Sequence, residues 1–442
     1  MEREIISSAN VKPSSPTPQN LRRYNFSMLD QIFPPMPVPV IFYFPNTAQI
    51  NDPDSLISQI TQRLTRSLSV ILSRFYPLAG RASGESDFID CNDAGVPFAV
   101  ARFRGHELSE LLTDPRPDLL LPCGVDWDGK AGPDSGAVAL VQVNCFECGG
   151  FAIGVVFWNK VVDGPTVVAV LRSWGAAARG GKEAVCPNYM AQHMFPHKEH
   201  MPAQLGSTAD IIKTGKSIVR RYVFYTSAIS SLKSKVSDVE QPSSVEVVSA
   251  IIWKCFMYAS LANGKSTSFI TQTLDLRRRA QPPFPPEWFG NFQALAPATS
   301  RNDQNVDLGA LVRKIRDSTN KINDDYINRM RGDGGLMGYY ENLRLAWIEY
   351  SQEFDILPIS SVCGLDVYDV DFGWGKPVWF SKCDTSNDSE MGSVWNRVWL
   401  IDTRNGDGIE AWVILEYEYM SVFDQVQELR TLASVDPNPL HI

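Results

Sequence analysis

Residues 151–174 read FAIGVVFWNKVVDGPTVVAVLRSW, and the pattern changes halfway along. Residues 151–158 form an unbroken apolar run of strand length, which ends at Asn159, Lys160 and, four residues on from Asn159, Asp163. Gly164-Pro165 then opens a helical pattern whose inward stripe is Val167, Val168, Leu171 and Trp174. An apolar strand leading through a polar turn into a helix predicts an α/β fold. The rest of the chain repeats the alternation. Upstream, Asp52-Pro53 begins a helix with an Asp cap and Pro at its first position. Its stripe is Leu56, Ile57, Ile60, Leu64, Leu68, Ile71 and Leu72, and strand-like runs follow at 98–103 and 137–143. Downstream come a strand at 218–225, a helix at 243–259 with Ser243 and Glu246 at capping-box spacing, and a strand at 268–274. A Pro-rich bend at 282–286, a helix at 308–322 and strands at 394–401 and 408–416 complete the pattern. Periodicity fades between about 177 and 216. The expectation is two α/β domains with mixed sheets, residues 1–200 and 218–442, joined by a crossover linker at 201–217.

Composition narrows the function classes. The chain has 442 residues, room for two or three domains, with 44% hydrophobic and 21% charged residues. Lys and Arg number 41 against 50 Asp and Glu, a net of −9, which suits phosphate neutralisation poorly and argues against nucleic acid as a partner. The only compact basic cluster, Arg277-Arg278-Arg279, is too short for a membrane-binding patch. The first ten residues, MEREIISSAN, contain no apolar segment, and stretches such as 151–158 fall short of the ~20 residues a spanning helix needs. A cytoplasmic protein with no membrane partner is expected. The eight cysteines (Cys91, Cys123, Cys145, Cys148, Cys186, Cys255, Cys363, Cys383) are scattered and read as free thiols. Cys145 and Cys148 are three residues apart in a strand-like run, so they face opposite sides and do not converge on a metal. His193, His197 and His200 are kept from aligning on one helix by Pro196 and read as a polar surface stretch. No metal site is expected.

Motifs then narrow the chemistry. There is no GxGxxG after a strand, no Walker motif and no GxSxG elbow, which removes most support for nucleotide-phosphate enzymes and α/β-hydrolases. Two segments stand out. Trp158-Asn159-Lys160-Val161-Val162-Asp163-Gly164 joins strand to helix, where a strand positions side chains and helix amides can face a ligand. In Asp371-Phe372-Gly373-Trp374-Gly375, two glycines bracket a Trp and permit tight turns and close approach of another segment. Each taken alone also reads as an ordinary turn.

Together with other segments in order, they resemble the plant BAHD acyltransferase family from end to end. The matching elements are Pro13-Ser14-Ser15-Pro16-Thr17-Pro18, Leu29-Asp30-Gln31, Phe75-Tyr76-Pro77-Leu78-Ala79-Gly80-Arg81, Asp90-Cys91-Asn92-Asp93 and Phe146-Glu147-Cys148-Gly149-Gly150. They continue through Asn159–Gly164, Leu276-Arg277 with Arg279, Pro282-Pro283 with Pro285, Gly290-Asn291, the pentapeptide at 371–375 and Gly408-Ile409-Glu410-Ala411. The pentapeptide is similar in full to the family's DFGWG signature, and the branch resembled includes alkaloid O-acetyltransferases.

The resemblance implies two chloramphenicol-acetyltransferase-like domains, a long crossover loop, and a central solvent tunnel entered from opposite faces by an acyl-CoA co-substrate and a small-molecule acceptor. It implies a monomer with no bound cofactor. In the family's HxxxD motif the His is the general base and the Asp is architectural, paired with an Arg; here that Asp is Asp163 and its partner Arg277 or Arg279. Gly164 belongs to the same supporting frame. Asn159 at the His position and Asp371 are the candidate catalytic positions, with Asp371 and Trp374, flanked by Gly373 and Gly375, shaping the CoA side. Asn159 is the departure. A carboxamide has no titratable proton near neutral pH, and losing a general base typically costs 10²–10⁴-fold in rate. Three activities follow as alternatives: slow or atypical CoA-dependent O-acylation of an alkaloid or similar alcohol, CoA-independent elimination, rearrangement or cyclisation of an activated metabolite, and binding without catalysis. Acyl transfer is the expectation.

Overall fold

The computed structural model describes residues 2–33, 36–46, 52–82, 87–122, 136–181, 185–201, 213–303, 305–332, 334–348, 354–382 and 393–441. The apolar run Phe151–Trp158 is an interior strand, antiparallel to Ala139–Phe146 on one side and to Pro37–Phe44 on the other. All eight of its residues are buried, so nothing in it needs to alternate with polar residues. The sheet has six strands in the order Glu4–Val11, Val96–Phe103, Ala139–Phe146, Phe151–Trp158, Pro37–Phe44 and Trp379–Ser381. The Val96–Phe103 and Ala139–Phe146 pair is parallel and the others are antiparallel, which makes the sheet mixed. Helices Pro53–Leu72 and Gly164–Ala178 bury the stripes read from the sequence, Leu56 to Leu72 and Val167 to Trp174, in one core with this sheet. Trp174 ties the two helices together, its indole Nε1 donating to the Leu64 carbonyl (3.1 Å) and the Ser67 hydroxyl (3.0 Å).

The second sheet has seven strands in the order Gln293–Arg301, Thr267–Asp275, Phe354–Ser361, Arg397–Asp402, Gly408–Glu416, Ser217–Tyr225 and Ser434–Val435. It mixes parallel pairing around Phe354–Ser361 with antiparallel pairing elsewhere. Helix Ser244–Ala262, opened by the Ser243–Glu246 capping box, lies across it. By length and hydropathy this helix could cross a membrane, and it is longer than any apolar stretch weighed above. Its side chains instead fill the second core, with Leu311, Val312 and Ile315 of helix Leu308–Asn320 and sheet residues such as Ile270, Leu357 and Val413.

Three features depart from the sequence expectation, each through a long-range contact. Pro37–Phe44 is a strand although Pro37 and Pro39 break its local signal. Trp379–Ser381 comes from the second half of the chain but pairs with Ile41–Tyr43, so the first sheet takes its last strand from beyond residue 218. Residues 185–201, inside the stretch of faded periodicity, are packed. Ala191 and Phe195 sit in a third core with Leu276, Phe284, Phe292 and Tyr326, and Asn188 exchanges backbone hydrogen bonds with Glu287 (3.0 Å) and Phe289 (2.8 Å). Residues 202–212 of the expected linker lie outside the described residues. Cys145 is buried and Cys148 is exposed.

Candidate active site

The chain leaves the strand at Trp158 and enters the helix at Gly164, and the turn between is tied down at Asn159, Val161 and Asp163. Val161 and Val162 are fully buried and anchor it from below. Asp163 caps the helix, its Oδ1 accepting the Thr166 N–H at 2.9 Å. A carboxylate so buried requires a partner, and Arg277, 114 residues away, supplies one. Arg277 Nη1 reaches Asp163 Oδ2 at 2.7 Å and Nη2 reaches Oδ1 at 3.2 Å, with side-chain exposures of 2% and 1%. This two-pronged geometry is one that Arg can make and Lys cannot. The remaining guanidinium donors go to Asp275 (3.0 Å) and the Trp288 and Gly290 carbonyls (2.8 and 3.1 Å), and the group lies over the Phe292 ring. Burial opposes the Arg277 charge, but Asp163 and Asp275 outweigh it and push its pKa up. Burial pushes the Asp275 carboxyl up as well.

A finger from the second half, residues 288–292, closes over this turn. The Gly290 carbonyl accepts from Thr166 Oγ1 (3.0 Å), and the Phe292 N–H donates to Asp163 Oδ2 (2.9 Å). Asn291 Nδ2 donates to the Asn159 carbonyl (3.0 Å) and to Asp30 Oδ1 (3.1 Å), and the Asn291 backbone N–H donates to the same Asp30 oxygen at 3.0 Å. The other oxygen of Asp30 accepts from the Ser27 N–H (2.8 Å) and hydroxyl (2.7 Å). Burial raises the Asp30 carboxyl to about 6 even though these donors pull it down. Beside it, burial pushes the Lys160 amine down.

Asn159 itself is half-buried. Its N–H donates to the Met36 carbonyl at 2.8 Å and its C=O accepts from Asn291, so the main chain is pinned on both sides. Among the described residues its carboxamide has no hydrogen-bond partner. It offers one acceptor and two donors from a fixed base and cannot take up a proton near neutrality.

The other candidates lie elsewhere. Arg279 does not pair with Asp163; its Nη1 donates to the Thr319 and Ile322 carbonyls at 2.6 and 2.9 Å, at the end of helix Leu308–Asn320. The pentapeptide packs on the far end of helix Gly164–Ala178. A Cβ on Gly175 would lie 2.5 Å from the Asp371 carbonyl oxygen, and Arg179 donates to that oxygen. Gly175 is eleven residues along from Gly164, ~16 Å at the rise of an α-helix. Asp371 forms the turn of the pentapeptide, at the other end of this helix from the Asn159 turn. Its Oδ1 accepts the N–H groups of Gly373 (2.7 Å) and Gly375 (3.0 Å), both glycines at positive φ. Trp374 is covered by the Arg63 guanidinium, 4.4 Å from the ring, and meets Phe151 edge-on. Asp30 and Asn291 enter the sequence reading only as family-matching positions, and Thr166 and Asp275 do not enter it as site residues. The Ser27–Asp30 spacing is a helix-cap signature and gives no sign of the second half.

Two sheet-rich halves are thus interlocked through a buried Asp–Arg pair beneath a strand-to-helix turn. The Transferase family profile matches residues 1–430, and the chain belongs to this family, the BAHD acyltransferases. It is similar to stemmadenine O-acetyltransferase of Catharanthus roseus (34% identity, 95% of each chain covered) and to limonoid 7-O-acetyltransferase of Citrus sinensis (34%, 100% of each). Its structure is similar to that of vinorine synthase, with a TM-score of 0.81 at 32% identity over 98% of this chain and 99% of that one. F. graminearum TRI101, complexed with coenzyme A and T-2 mycotoxin, shares the fold at a TM-score of 0.70 and 17% identity, over 94% of this chain and 100% of that one.

Proposed function

We propose that this protein transfers an acyl group from a CoA thioester to a hydroxyl of a small plant metabolite of the alkaloid or limonoid kind, and that Asn159 stands where the family carries its histidine base. The carrying observation is the Asn159–Gly164 turn: a main chain held rigid by Met36, Asn291 and the Asp163–Arg277 pair, presenting one side chain that is unpartnered among the described residues. The names of the relatives, O-acetyltransferases acting on stemmadenine and on limonoids, support the substrate class. In the proposed reaction the acceptor oxygen bonds to the acyl carbon, the C–S bond breaks, and the hydroxyl proton ends on the CoA sulfur. Asn159 orients the hydroxyl by hydrogen bonding and leaves proton removal to another base, a basic nitrogen of the acceptor being one source. Proximity and orientation still supply a large part of the barrier reduction.

The test is free-thiol release from acetyl-CoA and larger acyl-CoAs with alcohol and alkaloid acceptors, wild type beside Asn159→His. Turnover by wild type with a faster His variant supports the reading. A second reading, conversion of an activated metabolite without CoA, is favoured by the inability of a carboxamide to accept a proton. A silent wild type with an active His variant would select it. Silence from both would reject acyl transfer.

A further inference from the structure

We propose that Asp30 is a positioning residue for the reactive turn: as a carboxylate it fixes Asn291, and Asn291 fixes the main chain at Asn159. This rests on the reading of Asn159 as the reactive position. Asp30 belongs to the short helix Met28–Ile32 in the first half, Asn291 to the finger of the second half, and Asn159 to the end of the interior strand. Asp30 is completely buried and four hydrogen bonds converge on it, two from Ser27 and two from Asn291. Four donors aimed at two oxygens fit an ionised carboxyl; a carboxylic acid must turn a fifth hydrogen into the same crowd. Asn291 is also fully buried, and each of its amide atoms is engaged: Nδ2 on Asp30 and Asn159, Oδ1 on Gln293 Nε2 at 3.1 Å. The orientation of the Asn291 amide is therefore set by Asp30 and Gln293, and the Asn159 carbonyl is held by whatever orientation results.

The groups around Asp30 allow its ionisation to respond to pH in the working range. Near it are the half-buried Lys160 and the buried Tyr24 hydroxyl; Lys160 also feels Asp87, which lies 3.9 Å from His197. Burial raises the carboxyl to about 6, so it is charged at neutral pH and becomes protonated on mild acidification. Protonation removes an acceptor from Asn291 and loosens its hold on Asn159, while the Asp163–Arg277 pair stays intact.

Two variants and two readouts test this in the full chain. Asp30→Asn keeps the shape but turns an amide N–H₂ toward the donors. Asn291→Ala keeps the backbone N–H on Asp30 and removes the side-chain bonds to Asn159, Asp30 and Gln293. The first readout is backbone hydrogen exchange of the peptides spanning residues 156–163 at pH 5 and pH 8, which needs no turnover. Wild type should exchange there at least several-fold faster at pH 5 after correction for intrinsic rates, and both variants should show fast exchange at both pH values. The second is the pH dependence of kcat for thiol release: an acid limb with a midpoint near 6 in wild type, and in Asp30→Asn a flat profile about tenfold lower with KM for acyl-CoA little changed. Unchanged protection of residues 156–163 in folded Asn291→Ala would overturn the proposal, whether or not Asp30→Asn folds. If wild type shows no turnover with any donor and acceptor, the acyl-transfer reading fails while the exchange data still decide the link.

Discussion

Replacing Asp163 by Asn puts the interlock between the two halves to a direct test. The side chains are nearly isosteric, so packing is preserved and electrostatics changes. The amide oxygen of the Asp163→Asn variant could keep the Thr166 N–H. Its amide nitrogen would then point at the Phe292 N–H and Arg277 Nη1, both donors, where Asp163 Oδ2 now accepts at 2.9 and 2.7 Å. Arg277 is left 2% exposed with a single carboxylate, Asp275 at 3.0 Å, itself one-fifth exposed. Breaking one side of a buried ion pair costs about 3–5 kcal/mol, and the remaining Asp275 puts this case near ~3 kcal/mol. Against a total stability of about 5–15 kcal/mol that is a large fraction. At about 2–4 °C per kcal/mol for domains of 150–250 residues, the melting midpoint should fall by ~6–12 °C. The assay is thermal and urea unfolding of wild type, Asp163→Asn, Arg277→Met and the double variant. The cycle should show a coupling of ~2–3 kcal/mol, because removing both charges costs less than the sum of removing each. Arg279→Met serves as the control that loses only two carbonyl contacts. An Asp163→Asn protein within ~1 kcal/mol of wild type, or strictly additive single variants, would refute the account of this pair.

Other expectations follow from the same geometry. Asp30 is raised from 3.8 to about 6 by burial, so the folded state retains a proton that the unfolded chain has lost between those values. The stability it contributes is therefore fully present below about pH 4, declines as pH rises to about 6, and is flat above; the difference is about 3 kcal/mol. Urea unfolding of wild type against Asp30→Asn from about pH 4 to 7 should show the advantage of wild type shrinking with rising pH, opposite in sign to the acid loss of turnover. Gly175→Ala would place a Cβ 2.5 Å from the Asp371 backbone oxygen and should displace the pentapeptide, with a lower melting midpoint and a changed Trp374 fluorescence. Gly164→Ala, whose Cβ meets nothing closer than Val362 at 3.5 Å, should leave the melting midpoint within ~2 °C of wild type. Asn159→His should raise the rate of thiol release by roughly 10²–10⁴-fold if the acceptor hydroxyl sits against position 159.

Within the site, the sequence made legible those residues whose roles follow from their neighbours in the chain. The helix start is legible because a helical stripe directly follows Gly164 and Pro165, and in the structure Asp163 caps it by accepting the Thr166 N–H. Gly373 and Gly375 can be read as turn residues because they bracket Trp374, and both adopt positive φ. Arg277 and Arg279 lie two residues apart and look alike. One is enclosed by Asp163 and Asp275, and the other holds a helix end 40 residues further on. Nothing local separates them, since the difference is made by chain that returns from 114 residues away.

The sequence by itself determined many of the elements, their strand–helix alternation and the family. Strands and amphipathic helices are selected by hydrophobic spacing within a dozen residues, and motifs of this family are contiguous words. Only the tertiary structure decided that Trp379–Ser381 completes the first sheet, that Asn188 and Phe195 pack on the second half, and that Asp30, Asn291 and Asn159 are joined by hydrogen bonds across both. Buried polar groups must find partners wherever the fold brings them. For Asp30 that partner is 261 residues away, a distance over which no local period carries information.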